Sequence, residues 1–433
     1  MKEEVMINNK KTAKLWNKNF FLLWQGHLVS ALGDVLYMMA LDFWVFEITG
    51  STAIMGILSA VTMLPRIILG PFAGVFVDKW HRRNVIVITD FIRGVVITFV
   101  GVAGIMGFIQ VWMVFVVGVV SGLCSAFFGP AVSAIKPELV DESKLVQANS
   151  ATSMADSGMQ IAGTAIGGLI YVAIGAPWMF FLNGISYLLS ALSEVFIKEP
   201  EREKNANGKK LTFKEDFIGG LRFIWDFKTL RNIMISACFL NLLGASGSIL
   251  MLPYFKITES LGPEKYGVFM AVMSVAVLCG SAILSCITIK KKWKYLVFAS
   301  AVIISMVSLD ITFLISNYYV MLVLIFISGF CTVVFNTIFN TLIAIVVPAD
   351  KRGKVSAMLG TISMGMSPLG ALIGGVMGEI FPIRTAIIIL FTITIVVGVI
   401  IASVKGVRSV ISYESSDCSV DELIEKTNSG AAI

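Results

Sequence analysis

Six ionisable side chains sit within apolar stretches of this 433-residue chain: Asp34 and Asp42 in residues 20–46, Arg66 in 53–77, Asp90 and Arg93 in 85–108, and Asp310 in 293–316. An ionised group in hydrocarbon costs at least a few kcal/mol, so each needs a partner, water or a function. The chemistry open to such groups is reversible protonation. A carboxylate beside a guanidinium keeps its charge, and the same carboxylate takes a proton when its pairing or hydration changes. Asp156 and Glu194 near cytoplasmic ends, and Glu47 near an outer end, pay less because interfacial water reaches them.

The elements that must position these groups follow from composition. With 57% hydrophobic residues, 14% charged and a mean hydropathy of +0.86, the chain belongs to polytopic membrane proteins. Runs of about 20 apolar residues cross a bilayer. Twelve such spans are read from the sequence, six between residues 20 and 197 and six between 232 and 404. All but five of the 34 Lys and Arg fall in segments that are cytoplasmic if the N-terminus is inside, which predicts both termini in the cytoplasm. The net charge of +6 is thus a signature of topology, and no nucleic-acid partner is expected. The absence of N-x-S/T sequons and the short loops favour a bacterial plasma membrane.

The chain is also built twice. GMQIAGTAIGG at 158–168 matches GMSPLGALIGG at 365–375 at an offset of 207 residues, and LVDESKL at 139–145 aligns with VVPADKR at 346–352 at the same offset. The expected organisation is a cytoplasmic N-terminus (1–18), a six-helix bundle (19–197), a cytoplasmic linker with an amphipathic helix (198–231), a second six-helix bundle (232–404) and a disordered cytoplasmic tail (405–433). In the linker, Thr212 and Glu215 form a capping box ahead of Phe213, Phe217, Leu221 and Ile224 at helical spacing. Gly163 with Gly167, and Gly370 with Gly374, make smooth helix faces that serve either tight packing or a sliding seam between halves.

A rise of ~1.5 Å per residue places Asp34 and Arg66 both near mid-membrane on antiparallel spans. They are expected to meet, as a fixed ion pair or as a site where charge is coupled to transport. Pro65, which removes a backbone donor beside Arg66, fits a helix lining a watery cavity. Asp42, ~12 Å farther out, would reach the outer mouth. Asp90 and Arg93, three apart on one helical face, would form a latch near the inner gate. Asp310 reads as a cavity or interface acid and His27 as a hydrogen-bonding residue. Tyr37, Met38 and Phe43 would line the cavity, or face lipid or core.

Gly74-Val-Phe-Val-Asp78-Lys79, followed by Arg82-Arg83, resembles the signature loop of the major facilitator superfamily. NFFLLWQGHLVSALGD at the first span, PAVSAIKPELVDESKLVQANS after the fourth and VVPADKRGKVSAM before the eleventh resemble the branch that includes bacterial macrolide-efflux proteins. The resemblance implies an all-α fold of twelve transmembrane helices in two pseudo-repeats and a drug:proton antiporter. It also implies that Gly74 admits a neighbouring helix, that Asp78 pairs with cations or a helix end, and that Lys79, Arg82 and Arg83 stabilise the outward-open state. His81 stands where the superfamily commonly has glycine, and the fourth span lacks the basic residue of many proton-coupled members; Arg66 or Arg93 would take its place.

With two His, scattered Cys and no phosphate-binding glycine loop, the sequence offers no metal site, cofactor or enzymatic machinery. The reading is a monomeric secondary transporter, exporting a small amphiphilic drug such as a macrolide in exchange for protons by alternating access. Alternatives are export of a siderophore or lysolipid, and a membrane sensor that binds without transport.

Overall fold

The computed structural model describes residues 15–198, 224–347, 349–414 and 419–429, and among them every regular element is helical. The N-terminal helices are α1 (Lys18–Thr49), α2 (Thr52–Lys79), α3 (Arg82–Ile105), α4 (Val111–Leu139) and α5 (Leu145–Glu194). Then come α6 (Lys228–Ile257), α7 (Pro263–Cys286), α8 (Lys291–Leu314), α9 (Tyr318–Val346), α10 (Ala349–Ile380) and α11 (Ile383–Ser403), with short α12 (Val407–Ile411) and α13 (Val420–Ser429) at the end.

Among the described residues, ten helices are long and apolar enough to cross a bilayer, against the twelve expected. One source of the difference is α5, which is two helices meeting at Gly175. Its φ of 75° is open to glycine at little cost, and Pro177 just beyond has no N–H with which to continue the ladder. The other is α10, 32 residues long but not among the ten. The linker helix expected up to Ile224 falls largely on residues 199–223, outside the described residues.

The chain divides into two compact units, Met1–Trp44 with Val61–Asn207, and Val45–Ala60 with Gly208–Ile433. The outer turns of α1 and α2 therefore belong with the second unit, a departure from a division at the linker alone. They are held there by polar contacts: Lys256 pairs with Glu47 at 2.6 Å, and Thr52 Oγ1 donates to the Gly375 carbonyl at 2.7 Å. Glu379 accepts from Ser51 Oγ at 2.5 Å and from the Ala53 amide at 3.2 Å, so a carboxylate from α10 caps the start of α2.

In the first unit, Phe20, Leu23, Val77, Ile86, Ile135 and Leu139 form a buried core at one end. Among the described residues the second unit shows two cores. One is aromatic, with Phe313 5.4 Å from Tyr254 and 5.7 Å from Phe391 between ring centroids. The other gathers Phe227, Met234, Phe298 and Val346, and onto it fold Val407, Val410, Tyr413 and Leu423. This last finding corrects the expectation of a disordered tail. The polar composition of 405–433 hides a few apolar residues spaced to bury themselves once α6 and α8 supply a surface.

The repeat glycines show the same geometry in both units. A side chain at Gly163 would strike Val35 of α1, and one at Gly370 would strike the Leu242 carbonyl of α6; 35 and 242 differ by 207, as do 163 and 370. Gly167 meets Met39 and Gly374 meets Ser246, again at that offset. The glycines thus let two helices within one unit approach closely, which is the packing reading.

Candidate functional site

The polar cluster of the first unit is assembled by three helices. On the second arm of α5, Asn183, Tyr187, Ser190 and Glu194 follow at intervals of four, three and four, which stacks them on one face. On α3, Asp90 and Arg93 share a face one turn apart. Small residues bring these faces together: Gly94 lies against Leu188, Gly101 against Phe181 and Gly184 against Thr98, so α3 and α5 meet nearly backbone to backbone. Gly33 and Gly26 of α1 open room for Asn183 and Ser190 respectively.

Asp34 lies where α1 meets this stripe. The Tyr187 hydroxyl is 2.7 Å from both Asp34 carboxylate oxygens, and Asn183 Nδ2 approaches Oδ1 at 3.4 Å. Tyr187 in turn accepts from Arg93 Nη1 at 3.0 Å. The guanidinium is sandwiched, with its Cζ 4.7 Å from the Phe128 ring centroid and 5.0 Å from that of Tyr187. Asp90 approaches the same guanidinium at 4.0 Å. Glu194 accepts from Ser190 Oγ at 3.3 Å, and Ser190 also neighbours Asp90.

Burial makes this arrangement costly. Asp90 is 1% exposed, Glu194 0%, Arg93 5% and Tyr187 3%. Both Asp90 oxygens, Glu194 Oε2, and Arg93 Nε and Nη2 lack hydrogen-bond partners among the described residues. Among the described residues the cluster holds three carboxyls, those of Asp34, Asp90 and Glu194, and one guanidinium, so full ionisation would leave a buried excess of negative charge. A proton on any of the acids relieves it.

The expected Asp34 to Arg66 pair is not formed. Arg66 is exposed and Asp34 is bonded to α5 instead. Depth along the spans is similar, but α2 turns its Pro65 face toward Gly122 of α4, carrying Arg66 away from α1. The partner of Asp34 is reached through Tyr187 on Arg93, a residue read as an inner latch. Sequence reasoning missed Tyr187 and took Glu194 only as an acid near a cytoplasmic end. The signal that could have found them is the spacing of Asn183, Tyr187, Ser190 and Glu194, though without the bend at Gly175 nothing sets that face against Asp34.

The other candidates scatter. Tyr37 packs against Phe180 at 5.2 Å and Phe43 against Tyr171 at 4.8 Å, both buried between α1 and α5, whereas Met38 is exposed. Asp42 is half-buried with no hydrogen-bond partner among the described residues. Asp310 of α8 is buried, with one oxygen accepting from Thr392 Oγ1 at 3.3 Å. His27 Nε2 is 2.6 Å from Asp156 on the first arm of α5.

At the α2–α3 loop, no neighbour among the described residues stands within 4 Å of a side chain added at Gly74, so the close approach implied by the resemblance is not seen among them. The Asp78 side chain lies outside the described residues. Lys79 is exposed. Arg82 binds Glu138 and donates to the Ala134 carbonyl at 2.7 Å, and Arg83 donates to Asn84 Oδ1 at 3.1 Å and reaches the Ile197 carbonyl at 3.4 Å. These two arginines tie the start of α3 to the ends of α4 and α5.

A family model described as transmembrane secretion effector, of the MFS type, matches residues 10–427. The chain is 26% identical over 427 residues to the MFS-type transporter YfiS of Bacillus subtilis, covering 96% of this chain and 97% of that protein. It is 20% identical over 399 residues to macrolide efflux protein A of Streptococcus pyogenes, covering 91% and 97%. A solved bacterial homolog of the human lysosomal transporter Spinster, inward-facing and occupied, superposes with a TM-score of 0.68 at 14% identity, over 96% of this chain and 98% of that one. That likeness speaks for the fold alone.

Proposed function

Because the chain belongs to the transmembrane secretion effector family of major facilitator transporters, we propose that it exports an amphiphilic compound, a macrolide first among candidates, in exchange for protons. It would work as a monomer in a bacterial plasma membrane with both termini cytoplasmic, the orientation favoured by its basic residues. Likeness to macrolide efflux protein A supports the substrate class.

The observation that carries the coupling ion is the Asp34–Tyr187–Arg93 chain of contacts with its surplus of acid. Asp34 is the half-buried member and Asp90 and Glu194 the fully buried ones, so Asp34 is the acid a proton from water would meet first. Ionised, it holds the Tyr187 hydroxyl and is drawn to Arg93; protonated, it loses the charge-assisted part of that bond, and α1 is released from the α3–α5 pair. Arg93 then keeps Asp90 as its counter-charge. Arg82 and Arg83 brace the loop end of the same helices during the change.

The test uses inverted membrane vesicles energised with an acid interior. The wild-type protein accumulates labelled erythromycin and loses it on adding an uncoupler. Asp34→Asn should abolish gradient-driven accumulation and leave erythromycin binding to the purified protein intact; accumulation at the wild-type rate by that variant overturns the coupling role.

A further inference from the structure

The second unit contains a cavity of about 710 Å³ bounded by α6, α8, α9, α10 and α11, within the range of about 300–1,000 Å³ usual for small-molecule sites. Among the described residues its lining carries no ionisable acid or base. The polar groups are amides and hydroxyls: Asn241 on α6, Asn336 and Asn340 on α9, with Ser305, Thr332 and Thr394. The rest is Phe298, Met306, Phe335 and Phe339 with aliphatic neighbours.

Two features set the amides apart from packing residues. Asn336 and Asn340 lie within a span, four residues apart on one face of α9, and neither has a hydrogen-bond partner among the described residues. An amide inside a membrane helix is costly unless something completes its bonding. Asn241 gives one N–H to the Ala237 carbonyl at 3.0 Å, which leaves its oxygen to accept. The hydroxyls differ, since Ser305 is already bonded to Thr332 at 2.7 Å and Thr394 to the Phe391 carbonyl. The cavity therefore presents three open amides among aromatic and thioether surface.

The internal repeat sharpens the point. At the offset of 207, Asp34 corresponds to Asn241 and Tyr187 to Thr394. Position 34 of the first unit and position 241 of the second precede Val35 and Leu242, the residues met by Gly163 and Gly370. The same structural position thus bears a carboxylate in one unit and an amide in the other.

We propose that this cavity is a binding site for an uncharged, oxygen-rich amphiphile, its carbonyl and hydroxyl groups met by Asn241, Asn336 and Asn340 and its apolar face by Phe335 and Phe339. Among the described lining residues a cation would find no counter-charge, so the cavity would take the neutral lactone and hydroxyl face of a macrolide and the amino group of a basic one such as erythromycin would lie outside it. An acyl chain alone would leave all three amides open. The proposal deepens the export reading and rests on it for the physiological role of the ligand, with binding itself independent of proton coupling.

The experiment is equilibrium binding of radiolabelled erythronolide B, an uncharged macrolactone polyol, to the full-length protein in nanodiscs, with the cationic dye rhodamine 6G as the comparison probe. Wild-type protein should bind erythronolide B, and Asn336→Leu with Asn340→Leu should weaken it about tenfold, the loss expected for two hydrogen bonds. Rhodamine 6G binding should be unmoved by both substitutions. Phe339→Trp, which adds bulk to the apolar wall without touching the amides, should also weaken erythronolide B binding, and rhodamine 6G binding retained by all three variants excludes a folding artefact. No erythronolide B binding by wild-type, or binding unchanged in all three variants, overturns the proposal. Asp34→Asn separates the two readings: it should bind erythronolide B normally, and its transport result bears on coupling alone.

Discussion

The two units share a repeat and spend its polar positions differently. The first bonds Asp34 to Tyr187 and, through it, to Arg93 with Asp90 beside it, and carries Glu194 farther along the same face of α5, a buried polar cluster with charged members. The second puts Asn241 at the corresponding position and opens a neutral cavity beside it. The lesson is that one helical framework, fixed by the same glycine contacts at 163 and 370, tolerates either a titrating or a neutral interior. What decides is whether a counter-charge is supplied: α3 provides Arg93, whereas the cavity of the second unit has none among the described residues.

Exchanging the two characters is the hardest test of that contrast. Asn241→Asp places a carboxylate in the neutral cavity without a partner, and an uncompensated central acid costs about 2.5–3.5 kcal/mol. The expected outcome is a large fall in unfolding temperature in detergent, larger than for Asp34→Asn, which removes one of three competing acids. Equal falls would mean that the two units do not differ in how they hold charge.

Next in size comes the shared framework. A methyl at Gly374 would meet the Ser246 backbone carbonyl, and one at Gly163 the Val35 side chain at a longer distance. Gly374→Ala should therefore destabilise by about 1–3 kcal/mol, as overpacking does, and Gly163→Ala by less. Thermal unfolding of the pair checks the ranking.

Within the charged unit, Tyr187→Phe removes the hydroxyl that joins Asp34 to Arg93. The loss of a hydrogen bond to a charged group predicts about 1.5–3 kcal/mol. It should also change the pH dependence of transport, whereas Thr394→Val at the matching position should leave that profile alone. The smallest effect belongs to Glu379→Gln, which keeps an acceptor for α2 but loses its charge; about 0.3–1 kcal/mol is expected from the helix terminus, read as a small drop in unfolding temperature.

Much of the fold was legible because membrane solvent imposes simple rules. Length and apolarity mark spans, and the repeat at 207 anticipated that Gly163 and Gly370 would occupy equivalent contacts. The site was legible in part. Asp34, Asp90 and Arg93 stand out as charges in apolar runs, but pairing Asp34 with Arg66 used depth alone and ignored the face on which each side chain leaves its helix. Tyr187 is uncharged, so no cost of ionisation singled it out. The cavity was invisible for the same reason, since Asn336 and Asn340 look like ordinary polar residues until the fold sets them in one lining with residues of α8 and α11. The tail misled by composition, as a handful of well-spaced residues such as Val410 and Leu423 sufficed to dock it.

The cap on α2 has a consequence for biosynthesis. Ser51 is made 328 residues before Glu379, the acceptor that completes the first turn of its helix. At about 5–20 residues per second, the ribosome needs on the order of tens of seconds to deliver that carboxylate. During that interval the second helix of the chain waits in the membrane with its leading end unfinished, and its final seating must be among the last events of insertion.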